Sequence, residues 1–376
     1  MNDCVLLREI PTACGRRFGH ATLNVPATLN ALSLEMIDRL APQLDRWLAD
    51  PAVVGVVLDG AGDRAFCAGG DVRALQREIV AARAAGASAA PAVVPAFFER
   101  EYRLDYRIHT SPKPILCWGH GVVMGGGIGL MAGASHRVAT HQTRMAMPEI
   151  TIGLYPDVGG SWFLNRMPGR TGLFLALTGA QLNAADARFA GLADFVLAQA
   201  DHDAVLSALS ATCWSRNADS NHNNLSRLLD EMCDEEGLSP SRLRMHYDRI
   251  DTVIGRRGLD AIVPRLQALA ADADPWLATA GKTFAHGAPS SAVLSSLMLQ
   301  RARHLSLAEV FRLEYRVSVA ATMAPDFAEG VRALLIDKDR APRWQDDSVS
   351  AVDRARIESF LAPGKEGSHP LADLVG

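Results

Sequence analysis

No run in the 376 residues is apolar for long enough to span a bilayer, so a membrane-embedded protein is not expected. The first residues carry no charged start followed by an apolar run, and a secretory signal is not expected either. Cysteine is scarce. Cys4, Cys14, Cys67, Cys117, Cys213 and Cys233 form no CxxC pair and keep no regular spacing. This points to reduced thiols in a cytoplasmic protein rather than a disulfide framework. No metal-ligand cluster is visible, and internal repeats are lacking. Basic residues are not in excess: 38 Lys and Arg stand against 42 Asp and Glu, for a net charge of −4. With the arginines spread along the chain, nothing marks a nucleic-acid partner. What remains is an ordinary globular composition, 48% hydrophobic and 21% charged, in a chain long enough to bury its own core.

The first half alternates strand and helix signals. Residues 4–9 and 18–25 read as strands around a turn at Gly15. Ser33 is placed as an N-cap before a stripe of Leu34, Met36, Ile37, Leu40, Leu44 and Leu48, which repeats at helical spacing. Residues 53–59 are almost continuously apolar, as expected of a strand covered on both faces. A helix follows over 72–83, then an Ala-rich stretch over 84–95 that reads as a loop or helix edge. Further strands are expected at 114–118 and 136–140, with an apolar helix at 128–134 between them. This order predicts an α/β fold. Beyond residue 199 the chain becomes polar and helical, with amphipathic helices at 259–269 and 290–299 and the longest helix at 306–323. The expected organisation is a core over 1–200, a helical region over 201–345 and a tail over 346–376.

Three segments carry chemistry. In Ala65-Phe66-Cys67-Ala68-Gly69-Gly70-Asp71, two glycines allow close backbone approach, Gly70 can aim an amide at a substrate oxygen, and Asp71 suits a helix N-cap. In Gly119-His120-Gly121-Val122-Val123-Met124-Gly125-Gly126-Gly127, three successive glycines run into a helix start, and the Gly126 amide is a candidate second donor. A dinucleotide fingerprint over Gly127, Gly129 and Ala132, with Glu149 as the acid, is a weak rival, because the strand signal stops near His141 and Pro148 precedes the acid. The third segment, residues 147–160, holds Glu149 and Asp157 between prolines and glycines; carboxyl groups among apolar neighbours gain raised pKa values useful for proton transfer. The plainer reading is that both acids cap turns.

Together, in this order and spacing, the three segments resemble the crotonase (enoyl-CoA hydratase/isomerase) superfamily. The resemblance implies a crotonase-like spiral of ββα turns with a helical C-terminal region, a coenzyme A site, and an oxyanion hole at Gly70 and Gly126. Family hydratases generally pair two glutamates. Here Gly129 stands at the first position and Glu149 at the second. The 3-hydroxyisobutyryl-CoA hydrolase branch is closer. It shares the Pro148 to Gly160 pattern, the Phe97-Phe98-Glu99-Arg100-Glu101-Tyr102 segment, Glu314-Tyr315-Arg316, and the run from Asp326 to Asp339. Ser161-Trp162 departs from the branch and bears on the acyl pocket.

The resemblance implies hydrolysis of a short-chain 3-hydroxyacyl-CoA, of the kind met in valine breakdown. Glu149 would act as nucleophile or base, and Asp157 would bind the 3-hydroxyl or assist proton transfer. Glu101 would position the acyl group, with Ala68, Gly69, Asp71 and Gly125 lining the substrate. No cofactor is called for, since coenzyme A is part of the substrate; no metal is expected, and a homo-oligomer is an open possibility. The alternatives are an enoyl-CoA hydratase or isomerase using Glu149 alone, and a non-catalytic acyl-CoA-binding protein. His120 is read as packing, Cys67 and Cys117 as small buried hydrophobes, and Met145 and Met147 as pocket or core filling. Arg312 and Arg316 are read as surface ion-pair partners of Glu309 and Glu314.

Overall fold

The computed structural model describes residues 3–87, 89–234, 236–362 and 369–375. The chain forms two compact units, each gathered from separate stretches. The first comprises Met1–Gly70, Leu104–Met145 and Leu182–Met245; the second comprises Asp71–Arg103, Ala146–Gln181 and His246–Gly376.

The strands are β1 (Val5–Pro11), β2 (Arg17–Leu23), β3 (Val53–Gly60), β4 (Ala65–Cys67), β5 (Ile115–Gly119), β6 (Val122–Met124), β7 (His136–Thr140), β8 (Arg144–Ala146) and β9 (Phe195–Leu197). Six of them form a sheet in the order β1-β2-β3-β5-β7-β9, and β4-β6-β8 form a second, three-stranded sheet. Only the β1–β2 pair of the larger sheet is antiparallel, closed by the turn at Gly15, whose φ of +72° suits glycine. Every residue of β3 from Val53 to Asp59 is buried, as its unbroken apolar run required. The sheet core joins Phe18, Val54, Val57, Trp118 and Val138 to Leu209, Trp214 and Leu225 from the segment beyond residue 200. At the end of β3, Asp59 Oδ2 takes hydrogen bonds from His20 at 2.7 Å and His202 at 2.9 Å.

The helix Leu34–Ala49 begins where Ser33 accepts from the Met36 amide at 3.2 Å, and it buries Met36, Ile37, Leu40, Leu44, Trp47 and Leu48. The apolar helix after the triple glycine is Gly126–Ala132, starting two residues earlier than the side-chain pattern indicated. Gly125, at φ +48°, turns the chain so that Gly126 is its first residue. The strands β4, β6 and β8 are not marked by the side-chain pattern, because three residues are too few to show a period of two.

The second unit is helical. Asp71 caps Val72–Ala84 by accepting from the Ala74 amide at 3.2 Å. The expected loop is shorter than 84–95, since the next helix, Val93–His109, already begins at Val93; its part up to Arg103 belongs to this unit. The helices Leu259–Ala268 and Pro289–Ala302 match the amphipathic stretches. The long helix is Leu307–Thr322, opened by a capping box in which Ser306 and Glu309 satisfy each other's amides. One expectation is overturned here. Glu314 is not a surface ion-pair partner but fully buried, and Glu309 serves the cap. Arg312 donates to the Leu374 carbonyl at 2.8 Å.

Gly127 sets the separation of two segments in the first unit. A Cβ there would lie 2.3 Å from the Cys67 carbonyl oxygen, a backbone atom that cannot swing aside. Gly127→Ala is therefore expected to cost about 2–3 kcal/mol by overpacking, despite alanine's better helix propensity. Denaturant unfolding of the variant beside the parent measures it.

Candidate active site

Two amides lie close together in the first unit. β4 and β6 pair in parallel, with Ala65 opposite Val122 and Cys67 opposite Val123. Gly70 and Gly126 each follow three residues after Cys67 and Val123, so they leave the sheet side by side. A Cβ on Gly69, which has φ +107°, would sit 3.3 Å from the Met124 carbonyl oxygen and 3.8 Å from the Gly126 nitrogen. Gly70 bridges Leu32 in parallel, and the Leu32 amide donates to the Gly69 carbonyl at 2.8 Å. In such a bridge the neighbours of Gly70 make the bonds, and its own amide points to the other side. The Ala68 amide is engaged with the Leu29 carbonyl at 3.0 Å. Gly126 opens its helix, and a first helical residue has no intrahelical acceptor for its N–H. Among the described residues neither amide donates to a protein acceptor. His120, by contrast, is buried with Nε2 2.9 Å from the Gly62 carbonyl, which agrees with a packing role. Cys67, Cys117, Met145 and Met147 are buried as expected.

In the second unit the carboxyl groups gather. Glu149 opens the 3-10 turn Glu149–Ile152 behind Pro148, and the turn closes at Gly153 with φ +70°. No side chain could be added at Gly153, since a Cβ would lie 2.3 Å from the backbone of Asp326. Glu149 is buried and its Oε2 has no hydrogen-bond partner among the described residues. Its position in a 3-10 turn, and not at a strand end, also counts against the dinucleotide reading. Burial pushes the Glu149 carboxyl well above the usual range, and the charge of Asp157 pushes it further.

Asp157 is held by a network the sequence did not reveal. Its Oδ2 accepts from the Tyr102 hydroxyl at 2.6 Å, and that hydroxyl is 2.7 Å from Ser318 Oγ. Ser318 Oγ is also 2.9 Å from the Tyr155 hydroxyl, which donates to the Glu314 carbonyl at 3.1 Å. The Glu314 carboxylate accepts from the amides of Gly159 at 2.7 Å and Ser161 at 2.9 Å. Just before these anchors Val158 takes φ +52°, a conformation costing a β-branched residue about 1–2 kcal/mol. The Glu314 side chain thus clamps a strained loop next to Asp157. Burial raises Asp157 to about 6, against the lowering effect of the Tyr102 hydrogen bond. Burial and then the Asp157 charge raise Glu314 to about 8, although its two amide donors pull the other way. Glu101 is buried on the Tyr102 helix, one residue before that tyrosine. Trp162 carries the Arg166 guanidinium over its ring at 3.7 Å.

Tyr102 and Tyr155 stand inside segments already singled out, yet their roles depend on Ser318, more than 200 residues from Tyr102 in the chain, which carried no signal of its own.

The arrangement supplies two unengaged amides in one unit and protonatable, desolvated carboxyl groups in the other. Such groups suit stabilisation of an oxyanion and proton transfer near neutral pH. The enoyl-CoA hydratase/isomerase family profile matches residues 18–361, and the chain belongs to that family. Within it, the chain is 36% identical over 348 residues to the 3-hydroxyisobutyryl-CoA hydrolase, mitochondrial, of Gallus gallus, covering 92% of this chain and 86% of the relative. The protein of the same name from Homo sapiens is 36% identical over 342 residues, covering 89% and 83%. Among solved structures, an enoyl-CoA hydratase from Rhodobacter sphaeroides 2.4.1 superposes with a TM-score of 0.81 at 37% identity, covering 96% of this chain and 98% of that one. A carnitinyl-CoA dehydratase from Mycobacterium thermoresistibile gives 0.82 at 33% identity, covering 97% and 98%. The expected crotonase-type α/β fold is thereby established. Among the described residues no helix is long and apolar enough to cross a membrane.

The Tyr102 hydroxyl lowers the Asp157 pKa by favouring its charged form. Tyr102→Phe should accordingly raise that pKa above its value near 6, at a stability cost of about 1 kcal/mol. Carboxyl titration followed by NMR reads the shift. An Asp157 pKa that stays or falls would remove this account of the network.

Proposed function

We propose that this chain hydrolyses a short-chain 3-hydroxyacyl-CoA thioester of the 3-hydroxyisobutyryl-CoA kind. The observation that carries the reading is the 36% identity, over 92% of the chain, to hydrolases of that name. The carboxyl cluster supports it.

In this mechanism the thioester carbonyl oxygen accepts from the Gly70 and Gly126 amides. Glu149, as its carboxylate, either attacks the carbonyl carbon to give a mixed anhydride or takes a proton from the attacking water. The C–S bond breaks, coenzyme A leaves as its thiol, and water completes release of the 3-hydroxy acid. Asp157 binds the 3-hydroxyl or, in its protonated form, donates a proton to the leaving sulfur. Glu101 positions the acyl group, and Ala68, Gly69, Asp71 and Gly125 line the bound thioester. These steps use only the chain's own groups, with coenzyme A as part of the substrate. A cytoplasmic location, expected from the cysteine pattern, belongs to the same proposal; the relatives are named mitochondrial, and cell fractionation tests it.

The second reading is hydration of an enoyl-CoA, favoured by the likeness to the enoyl-CoA hydratase of Rhodobacter sphaeroides. Hydration needs one group to place water and another to move the proton. The helix Gly126–Ala132 offers no acid in its first turn, and Gly129 is buried there without a side chain. Released thiol supports hydrolysis, whereas loss of enoyl absorbance without thiol supports hydration. Acyl-CoA binding with neither would leave a non-catalytic binder.

Glu149→Gln is expected to lower thiol release by about 10²–10⁴-fold with little change in KM. Because the Glu149 pKa is raised, activity that requires its carboxylate should climb with pH through a limb above the ordinary carboxylate range. Asp157→Asn removes a negative charge that favours the protonated form of Glu149. The residual activity of that variant should show its limb at lower pH, and kcat/KM measured across pH checks both the position and the direction.

A further inference from the structure

Away from the carboxyl cluster, the first unit brings two exposed thiols together from opposite ends of its sequence. Cys14 lies in the turn between β1 and β2, and Cys213 follows the helix His202–Ala211. Hydrogen bonds hold the turn against that helix: the Ala13 amide donates to the Ser210 carbonyl at 2.8 Å, and Ser210 Oγ donates to the Pro11 carbonyl at 2.7 Å. Cys14 Sγ lies 3.0 Å from the Trp214 nitrogen and 3.3 Å from the Trp214 carbonyl oxygen. The Trp214 nitrogen belongs to the peptide unit that joins it to Cys213, so the Cys14 sulfur rests directly on the backbone of Cys213. Trp214 makes this juxtaposition firm. It is buried, its indole N–H donates to the Leu209 carbonyl at 2.8 Å, and its ring meets Phe18 edge-on at 4.8 Å. Cys14 and Cys213 are both exposed, whereas Cys67 and Cys117 are buried.

We propose that Cys14 and Cys213 are a redox modification site, closing reversibly to a disulfide when a low-molecular-weight disulfide such as oxidised glutathione is the oxidant. The neighbouring thiol pulls the Cys14 pKa down and pushes that of Cys213 up. Cys14 is therefore the attacking sulfur and Cys213 the resolving one. The Cys14 thiolate attacks one sulfur of the oxidant, whose S–S bond breaks and releases one thiolate. Cys213 then gives up its proton and attacks the Cys14 sulfur, expelling the second. Two protein thiols are oxidised by two electrons, and the oxidant is reduced to two thiols. The bond joins the β1–β2 turn to the segment after the helix and cross-links positions 14 and 213, a long ring whose closure stabilises chiefly by restricting the unfolded chain.

The test incubates the native protein with oxidised glutathione at neutral pH, blocks remaining thiols with N-ethylmaleimide, and maps peptides without reduction. The expected product is a monomer lighter by two hydrogen atoms, with Cys14 and Cys213 peptides linked, an unfolding midpoint raised by a few degrees, and full reversal by dithiothreitol. In Cys213→Ser a glutathione adduct should persist on Cys14, because nothing resolves it. In Cys14→Ser, Cys213 should react more slowly than Cys14 does in the parent. The proposal is overturned if both thiols stay free in the parent, if its glutathione adduct on Cys14 persists unresolved, or if the bridge forms between two molecules.

Discussion

Glu149, Asp157 and Glu314 are removed from water in the second unit, and no lysine or arginine forms an ion pair with any of them among the described residues. Removing carboxylates from water without a countercharge is costly, and the chain lowers that cost by leaving them protonatable and by giving two of them neutral donors. Tyr102 serves Asp157, and the amides of Gly159 and Ser161 serve Glu314. Glu149 Oε2 is left without such a donor, and its pKa is driven up by burial first and by its acidic neighbour second. Burial raises all three, and the hydrogen bonds to Asp157 and Glu314 pull against it. The strained Val158 and the clamp on its neighbours belong to the same arrangement, since the loop that carries Asp157 is held by another member of the cluster.

In the first unit the proposed oxyanion donors are backbone amides. A side chain can be aimed by choosing a rotamer, but an amide can be aimed only by bending the chain. Gly69 at φ +107° and Gly125 at φ +48° supply that bending, and the short β4–β6 ladder fixes the register in which the two bends meet. The absence of a Cβ at Gly127 lets the two segments approach to backbone contact.

Much of this could be read from the residues. The buried run of β3, the Ser33, Asp71 and Ser306 caps and the glycine clusters all have local causes, and local causes leave local patterns. The strands β4, β6 and β8 escaped notice because three residues cannot display a period. Glu314 misled because a glutamate between arginines on an amphipathic helix has the same spacing whether its face meets solvent or a core. Its burial is decided by Gly159 and Ser161, some 150 positions earlier, and no window of sequence contains both. Ser318 was silent for the same reason.

The interleaving of the two units bears on how the chain is made. The first unit needs residues up to Met245 before its last segment exists, and the second draws on segments reaching beyond residue 370. During synthesis from the N-terminus, the β1–β2 hairpin and the strand that follows emerge long before Phe195–Leu197 can complete the edge of their sheet. The apolar strand β3, which ends at Gly60, must therefore wait, unpaired on one side, until β5 begins at Ile115, and β7, which ends at Thr140, waits for β9 to begin at Phe195. A chain built in this way is expected to depend on holdase chaperones during translation more than its final stability would indicate.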